Sequence, residues 1–167
     1  PTVHAAKADE LFAAGEYQLA VKQYERAAYY DARNSDILWK LTQSLLATTP
    51  KSPARAAKRT VRVISLLNRI TQLDPNHREA QEKLLEMLYD YATALSQDFL
   101  VEQLVTNAED FLKENPDNAF ALRYKALGRV ELLKHKEFDP FELEQIRDDL
   151  LAAMEEYPDD AELTIHF

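Results

Sequence analysis

AAGEYQLAVKQYERAAYYDARN, residues 13 to 34, sets one of the chain's two glycines directly before a Glu-Tyr pair, with Ala20, Tyr24 and Ala27 following at helical intervals. Gly15 suits a tight turn because, without a Cβ, it takes positive φ at no steric cost. Small residues at 20 and 27 let a second helix approach closely, with Tyr24 filling the space above them. The stretch predicts a helix, a turn at Gly15, and a second helix that stops in YYDARN.

That stop recurs. LDPNH at 73–77, ENPDN at 114–118 and EYPDD at 156–160 each close one apolar-periodic segment and precede another. Pro75, Pro116 and Pro158 are spaced 41 and 42 apart (116 − 75, 158 − 116), and Ala32 stands in the proline place 43 before Pro75 (75 − 32). A fixed period of this length is the mark of a repeat array. The implied units are 1–34, 35–77, 78–118 and 119–160, with 161–167 starting a following element, all within one repeat domain spanning 1–167. Inside a unit the apolar residues recur at three and four positions, as in Leu84, Leu85, Leu88, Ala92 and Leu95, then Leu100, Val101, Leu104, Val105, Ala108, Phe111 and Leu112, so each unit is two helices. Start signals agree: Asp139-Pro140-Phe141-Glu142 carries a capping residue, a first-turn proline and a reciprocal glutamate, and Asn76 with Glu79 repeats that logic. Eight helices are expected, near 2–14, 17–31, 35–47, 54–73, 77–95, 98–114, 118–135 and 140–157.

Composition excludes several alternatives. With 167 residues, 46% hydrophobic and 29% charged, the chain is able to bury a core. Two glycines and no Asn-Gly or Asp-Gly pair argue against a sheet-rich topology, so the fold class is all-α. No apolar run is long enough to span a membrane, and the absence of cysteine removes disulfides and thiolate metal sites. The chain begins at Pro1 and ends on the apolar Ile165-His166-Phe167. The expectation is a soluble segment, cytoplasmic or periplasmic, cut from a longer protein.

Nothing in the sequence assembles a catalytic site. The four histidines are scattered; Glu131 and His135 are four apart, whereas carboxylate-bridged bundles use Glu-x-x-His twice over. No phosphate-binding glycine loop, Gly-x-Ser-x-Gly elbow or paired nucleophile is present. The reading is a non-enzyme with no cofactor and no metal.

Residues 1 to 34 resemble the tetratricopeptide repeat, a helical hairpin of that same length, through Ala8, Leu11, Gly15-Glu16-Tyr17, Ala20, Tyr24 and Ala27. The resemblance implies a right-handed superhelical array of about four hairpins. Lys7 and Ala32 depart from the family pattern, and the later units, 35–77, 78–118 and 119–160, are longer than the family's repeat, which implies longer helices and a loop at 48–53. In the fourth unit Tyr124, Leu127 and Gly128 fit the family register only if it is shifted by two from the one Pro116 predicts. HEAT-type repeats, which have about this length, are the alternative architecture.

Tetratricopeptide arrays are interaction scaffolds, so the resemblance implies a concave groove that holds a peptide, a helix or a partner domain. The family's inner positions fall on Ala5, Asp9, Phe12, Asp36, Trp39, Gln43, Leu46, Glu79, Glu82, Glu86, Tyr89 and Asp90, with Arg123 or Lys125 in the fourth unit. Such a groove is acidic with aromatic anchors and suits a basic or amphipathic partner. The chaperone-carboxylate clamp of some members is not reproduced, since its positions hold Ala5, Asp9, Lys40, Glu79 and Lys83.

Charge is polarised beneath a net −9: residues 37–73 hold seven basic and no acidic residues, and 109–162 hold sixteen acids against seven bases. Lys51, Arg55, Lys58, Arg59 and Arg62 form a basic contact patch. Without interleaved aromatics, and within an acidic chain, it is a poor nucleic-acid site; an acidic protein surface fits it better. Two rival readings are self-assembly, a dimer or filament through the basic second unit and the acidic C-terminal third, and an accessory domain that positions a catalytic domain lying outside the segment.

Overall fold

The structure, a computed structural model, describes residues 3–165. Pro1, Thr2, His166 and Phe167, which carry the expected start of the first repeat and the end of the following element, lie outside the described residues. Among the described residues there are nine helices and no strand: α1 (Val3–Ala13), α2 (Tyr17–Tyr30), α3 (Ser35–Ala47), α4 (Pro53–Leu73), α5 (Arg78–Leu95), α6 (Asp98–Glu114), α7 (Ala119–Leu133), α8 (Pro140–Glu156) and α9 (Ala161–Ile165). The eight helices expected from periodicity are present, most ends falling within a residue. The extra length of the later repeats goes into helix: α4, α5 and α6 have 21, 18 and 17 residues against 11 and 14 in α1 and α2. The chain divides into two compact units, Pro1–Gln81 and Glu82–Phe167.

In the first unit, α1 ends in a left-handed glycine. Gly15 has φ of 77°; its N–H donates to the Phe12 carbonyl at 3.0 Å and the Glu16 N–H donates to Leu11 at 2.9 Å. This paired pattern satisfies two of the carbonyls that a helix end leaves free. Beyond it, Ala8, Ala20 and Ala27 are fully buried and Tyr24 nearly so, as the small-residue spacing requires. Ala5, Ala27 and Ile37 then form a small cluster joining α1, α2 and α3. Ser52 accepts from the Arg55 N–H at 3.3 Å and Pro53 occupies the first turn, so α4 starts where chemistry permits.

The second unit packs in two clusters. Ala92, Leu100, Val101 and Leu132 join α5, α6 and α7, and Ala126, Leu127, Val130, Ile146, Leu150, Ala153 and Leu163 join α7, α8 and α9. The α5–α6 turn lacks glycine, yet Ser96 adopts φ of 50° there, and the Ser96 and Gln97 N–H groups donate to Thr93 and Ala92 in the pattern seen at Gly15. The capping box forms: Asp139 accepts from the Glu142 N–H at 2.8 Å, and Glu142 accepts from the Asp139 N–H at 2.9 Å.

The two glycines are required for different reasons. Around Gly15 a Cβ would meet nothing within 4 Å, so only its backbone conformation demands glycine; at Gly128 a Cβ would lie 2.8 Å from Val105 Cγ2 and 3.2 Å from Leu104 Cδ2. Gly15→Ala is expected to destabilise by about 1 kcal/mol through left-handed strain. Gly128→Ala gains about 1 kcal/mol of helix propensity but loses roughly 1–3 kcal/mol to overpacking, for a net loss. Urea unfolding measures both, and a stabilised Gly128→Ala chain would refute the close α6–α7 approach.

Candidate protein-interaction faces

The first helix of each repeat after the first begins on a capping side chain. Asn34 Oδ1 accepts from the Ile37 N–H at 3.1 Å, His77 Nδ1 from the Ala80 N–H at 3.3 Å, and Asn118 Oδ1 from the Ala121 N–H at 2.8 Å. At the start of α9, Asp160 Oδ1 accepts from Glu162 at 2.9 Å and Leu163 at 3.4 Å. These caps are spaced 43, 41 and 42 apart (77 − 34, 118 − 77, 160 − 118), the same period as the prolines. The expected cap at Asn76 is displaced by one: the Asn76 N–H donates to Asp74 inside the turn, and His77 takes the capping place.

Three of the caps also reach back to the preceding first helix. His77 meets Trp39 edge-on at 5.0 Å between ring centroids, Asn118 donates to Glu82 at 3.4 Å, and Asp160 accepts from Arg123 Nε at 2.5 Å. Trp39, Glu82 and Arg123, three residues expected to line a groove, are therefore one repeated position, each half-buried under the next cap. Arg123 stands seven residues after Pro116, as Glu82 stands seven after Pro75, so the fourth repeat keeps the register Pro116 predicts and the two-residue shift is not present.

The remaining candidates divide by unit. In the first, Ala5 belongs to the core, which removes it from any binding face. Asp9 accepts from the Tyr24 hydroxyl at 2.5 Å and from Lys40 at 2.8 and 3.0 Å. Burial alone would raise its carboxyl; the bonds from Lys40 and Tyr24 outweigh that and leave it lowered. Phe12 packs edge-on to Tyr17 at 5.2 Å, Leu46 is half-buried, and Gln43, Asp36 and Glu79 are exposed.

In the second unit α5, α7 and α9 bring acids and aromatic rings together. Tyr89 and Tyr124 meet edge-on at 5.5 Å, and Arg123 lies 5.0 Å above the Tyr124 ring while also donating to Glu162 at 2.6 Å. Burial, then Glu162 and Glu131, push the Tyr89 hydroxyl up to about 12. Asp90 is raised by burial and by Glu86 and Glu162, against the opposing pull of Lys83 and Arg123. Lys83 pairs with Glu86 at 2.7 Å. Lys125 turns instead to α8, where it and Arg129 hold Asp149 at 2.9 and 2.8 Å.

The basic patch also has partners that the sequence did not reveal. Between α2, α4 and the 48–51 loop lies a cavity of about 430 Å³ lined by Lys51, Arg55, Lys58, Arg59 and Arg62 together with Lys22, Glu25, Val21 and Leu45. Arg62 donates to Glu25, and Arg59 to the Thr48 carbonyl. The helical spacing of Gln18, Val21, Lys22 and Glu25 on α2 is the available signal, obscured because the whole of α3 separates α2 from α4 along the chain. Among the described residues no group of three or more His, Asp or Glu is placed to hold a metal, and no helix is long and apolar enough to cross a membrane.

Consecutive helical hairpins, with a cap recurring at one position in every repeat after the first, define an all-α repeat protein. The sequence matches no family model and no curated protein. Among solved structures it is similar to MamA: 13% identity over 96% of this chain and 77% of the other, with TM-scores of 0.65 for a MamA RS-1 double mutant and 0.64 for MamA from residue 41 onward of Desulfovibrio magneticus RS-1. YrrB, described as a tetratricopeptide protein with an unusual peptide-binding site, aligns at 13% identity over 96% of this chain and 88% of its own, with a TM-score of 0.49. The fold is tetratricopeptide-like.

The Arg123–Asp160 pair carries a pH signature. The Arg123 hydrogen bond, against some opposition from burial, holds the Asp160 carboxyl below its usual value. As pH falls the unfolded chain therefore protonates first, and the stability the pair adds, complete above the unfolded value of about 3.9, is lost as pH drops through the folded value. Asp160→Asn keeps the backbone caps but removes the charge. It is expected to lower stability by about 1–2 kcal/mol at pH 7, with the gap to wild type closing towards pH 3 in denaturant titrations.

Proposed function

We propose that this chain is a non-catalytic interaction scaffold, its four hairpins at 1–34, 35–77, 78–118 and 119–160 acting as repeats of one binding domain, and that residues 82–167 receive a basic or amphipathic protein segment on the face of α5, α7 and α9. The observation that carries the reading is the meeting of rings and acids there: Tyr89 lies edge-on to Tyr124 at 5.5 Å, and beside it Asp90 is raised by burial and then by Glu86 and Glu162, despite Lys83 and Arg123 nearby. Carboxylates left with such mutual repulsion gain when a cation arrives, and a half-buried tyrosine beside them supplies amphipathic contact area. Trp39, Phe12, Gln43 and Leu46 extend the candidate set in the first unit, where Trp39 keeps a partly exposed indole beside His77. A fold built of helical hairpins supports binding because successive repeats present an extended surface to a partner.

The test is affinity capture with the wild-type chain and a Glu86→Lys, Asp90→Lys variant, with circular dichroism confirming equal helicity. Titration of the purified partner is expected to show at least a tenfold loss in the variant and weakening of wild-type binding with added salt. Equal affinity for both chains rejects the acidic face.

A further inference from the structure

We propose that the basic cavity of the first unit is a docking groove for α8 of a second copy of this chain. Its chemistry is independent of the partner face on α5, α7 and α9. Six cations, Lys22, Lys51, Arg55, Lys58, Arg59 and Arg62, surround one acid, Glu25. Glu25 is engaged by Arg62 and Arg59 is tied to the 48–51 loop; Lys22, Lys51, Arg55 and Lys58 make no ion pair among the described residues. Beneath the charges, Val21, Leu45 and Pro50 give the cavity an apolar lining. Its volume, about 430 Å³, is in the range that takes a large side chain with its neighbours.

A complement to that surface exists on the same chain. α8 buries Ile146, Leu150 and Ala153 and turns the opposite stripe outward: Phe141, Glu144, Asp148, Leu151 and Glu155, at helical spacings of three and four. Phe141 is 67% exposed and Leu151 41%, so the stripe offers apolar as well as acidic contacts. Glu144 and Asp148 touch only Arg147, at 3.2 and 3.0 Å on the exposed surface, where such pairs are weak and readily exchanged.

The dimensions agree. The α2 wall spans the eight residues Gln18 to Glu25, the α4 wall the eight from Arg55 to Arg62, and the first part of the α8 stripe the eight from Phe141 to Asp148, each about 10 Å of helix. Phe141 enters over Val21 and Leu45 while Glu144 and Asp148 reach the cations of α4, a helix-in-groove contact fixed by charge. Because the two surfaces differ, the contact is heterologous.

Sedimentation of the full chain tests this, with variants Arg55→Glu, Lys58→Glu (groove) and Glu144→Lys, Asp148→Lys (stripe), each confirmed helical. Wild type is expected to self-associate at tens to hundreds of micromolar in 50 mM NaCl and about tenfold more weakly in 500 mM. Each charge-reversed variant alone is expected to lose association at least tenfold, and an equimolar mixture of the two to regain it, since each restores complementary charge to the other. Phe141→Ser should weaken association without altering its salt dependence. A chain that remains monomeric in low salt overturns the proposal and leaves the groove to a foreign acidic segment; association that survives the variants, or a mixture that fails to recover, also overturns it.

Discussion

One residue in each repeat after the first ties local structure to packing: the side chain that caps its first helix. A helix start leaves backbone N–H groups without partners, and Asn34, His77, Asn118 and Asp160 supply them. Because the cap sits at the seam between repeats, its remaining polar or aromatic edge is positioned over the previous first helix, where it meets Trp39, Glu82 or Arg123. One side chain thus sets where a helix begins and how it registers with its neighbour. The chemistry varies, from ring contact through a hydrogen bond to an ion pair, while the geometry repeats.

This arrangement changes the meaning of residues that look like a binding surface. An exposed tryptophan, glutamate or arginine on a first helix reads as a partner contact, yet these three are partly occupied within their own units. Asp9 is likewise held by Tyr24 and Lys40, and Lys83 by Glu86. Asp90, which no ion pair answers among the described residues, stands beside Tyr89 and is the proposed contact for a partner. Much of the acidic count in the C-terminal third is internally answered too, since Asp149 and Glu109 are bridged through Lys125 and Arg129. Glu144, Asp148 and Glu155 on the outer stripe of α8 are among the acids that face solvent.

The fold was legible because its determinants are local. Apolar spacing of three and four, proline and Asx turns, and the Gly15-Glu16-Tyr17 turn act within a few residues of themselves, so helix positions and the repeat period could be read directly. Departures arose where two local solutions compete: His77 rather than Asn76 caps α5 because Asp74 already engages the Asn76 N–H. Ser96 does without glycine because the turn's two hydrogen bonds offset a strained φ. The register of the fourth repeat needed the Arg123–Asp160 contact to show that it follows Pro116.

The candidate surfaces were only half legible. Sequence placed the cations of α4 on one helix and the charges of the C-terminal third in one region, but a cavity needs two walls, and Lys22, Val21 and Glu25 come from α2, two helices earlier. By itself the sequence determined an all-helical repeat with its turns, caps and polarised charge, since backbone hydrogen bonding and apolar periodicity are short-range. Tertiary structure alone decided which charges cancel and which face outward, because an ion pair or a groove depends on distances between helices that no spacing along the chain encodes.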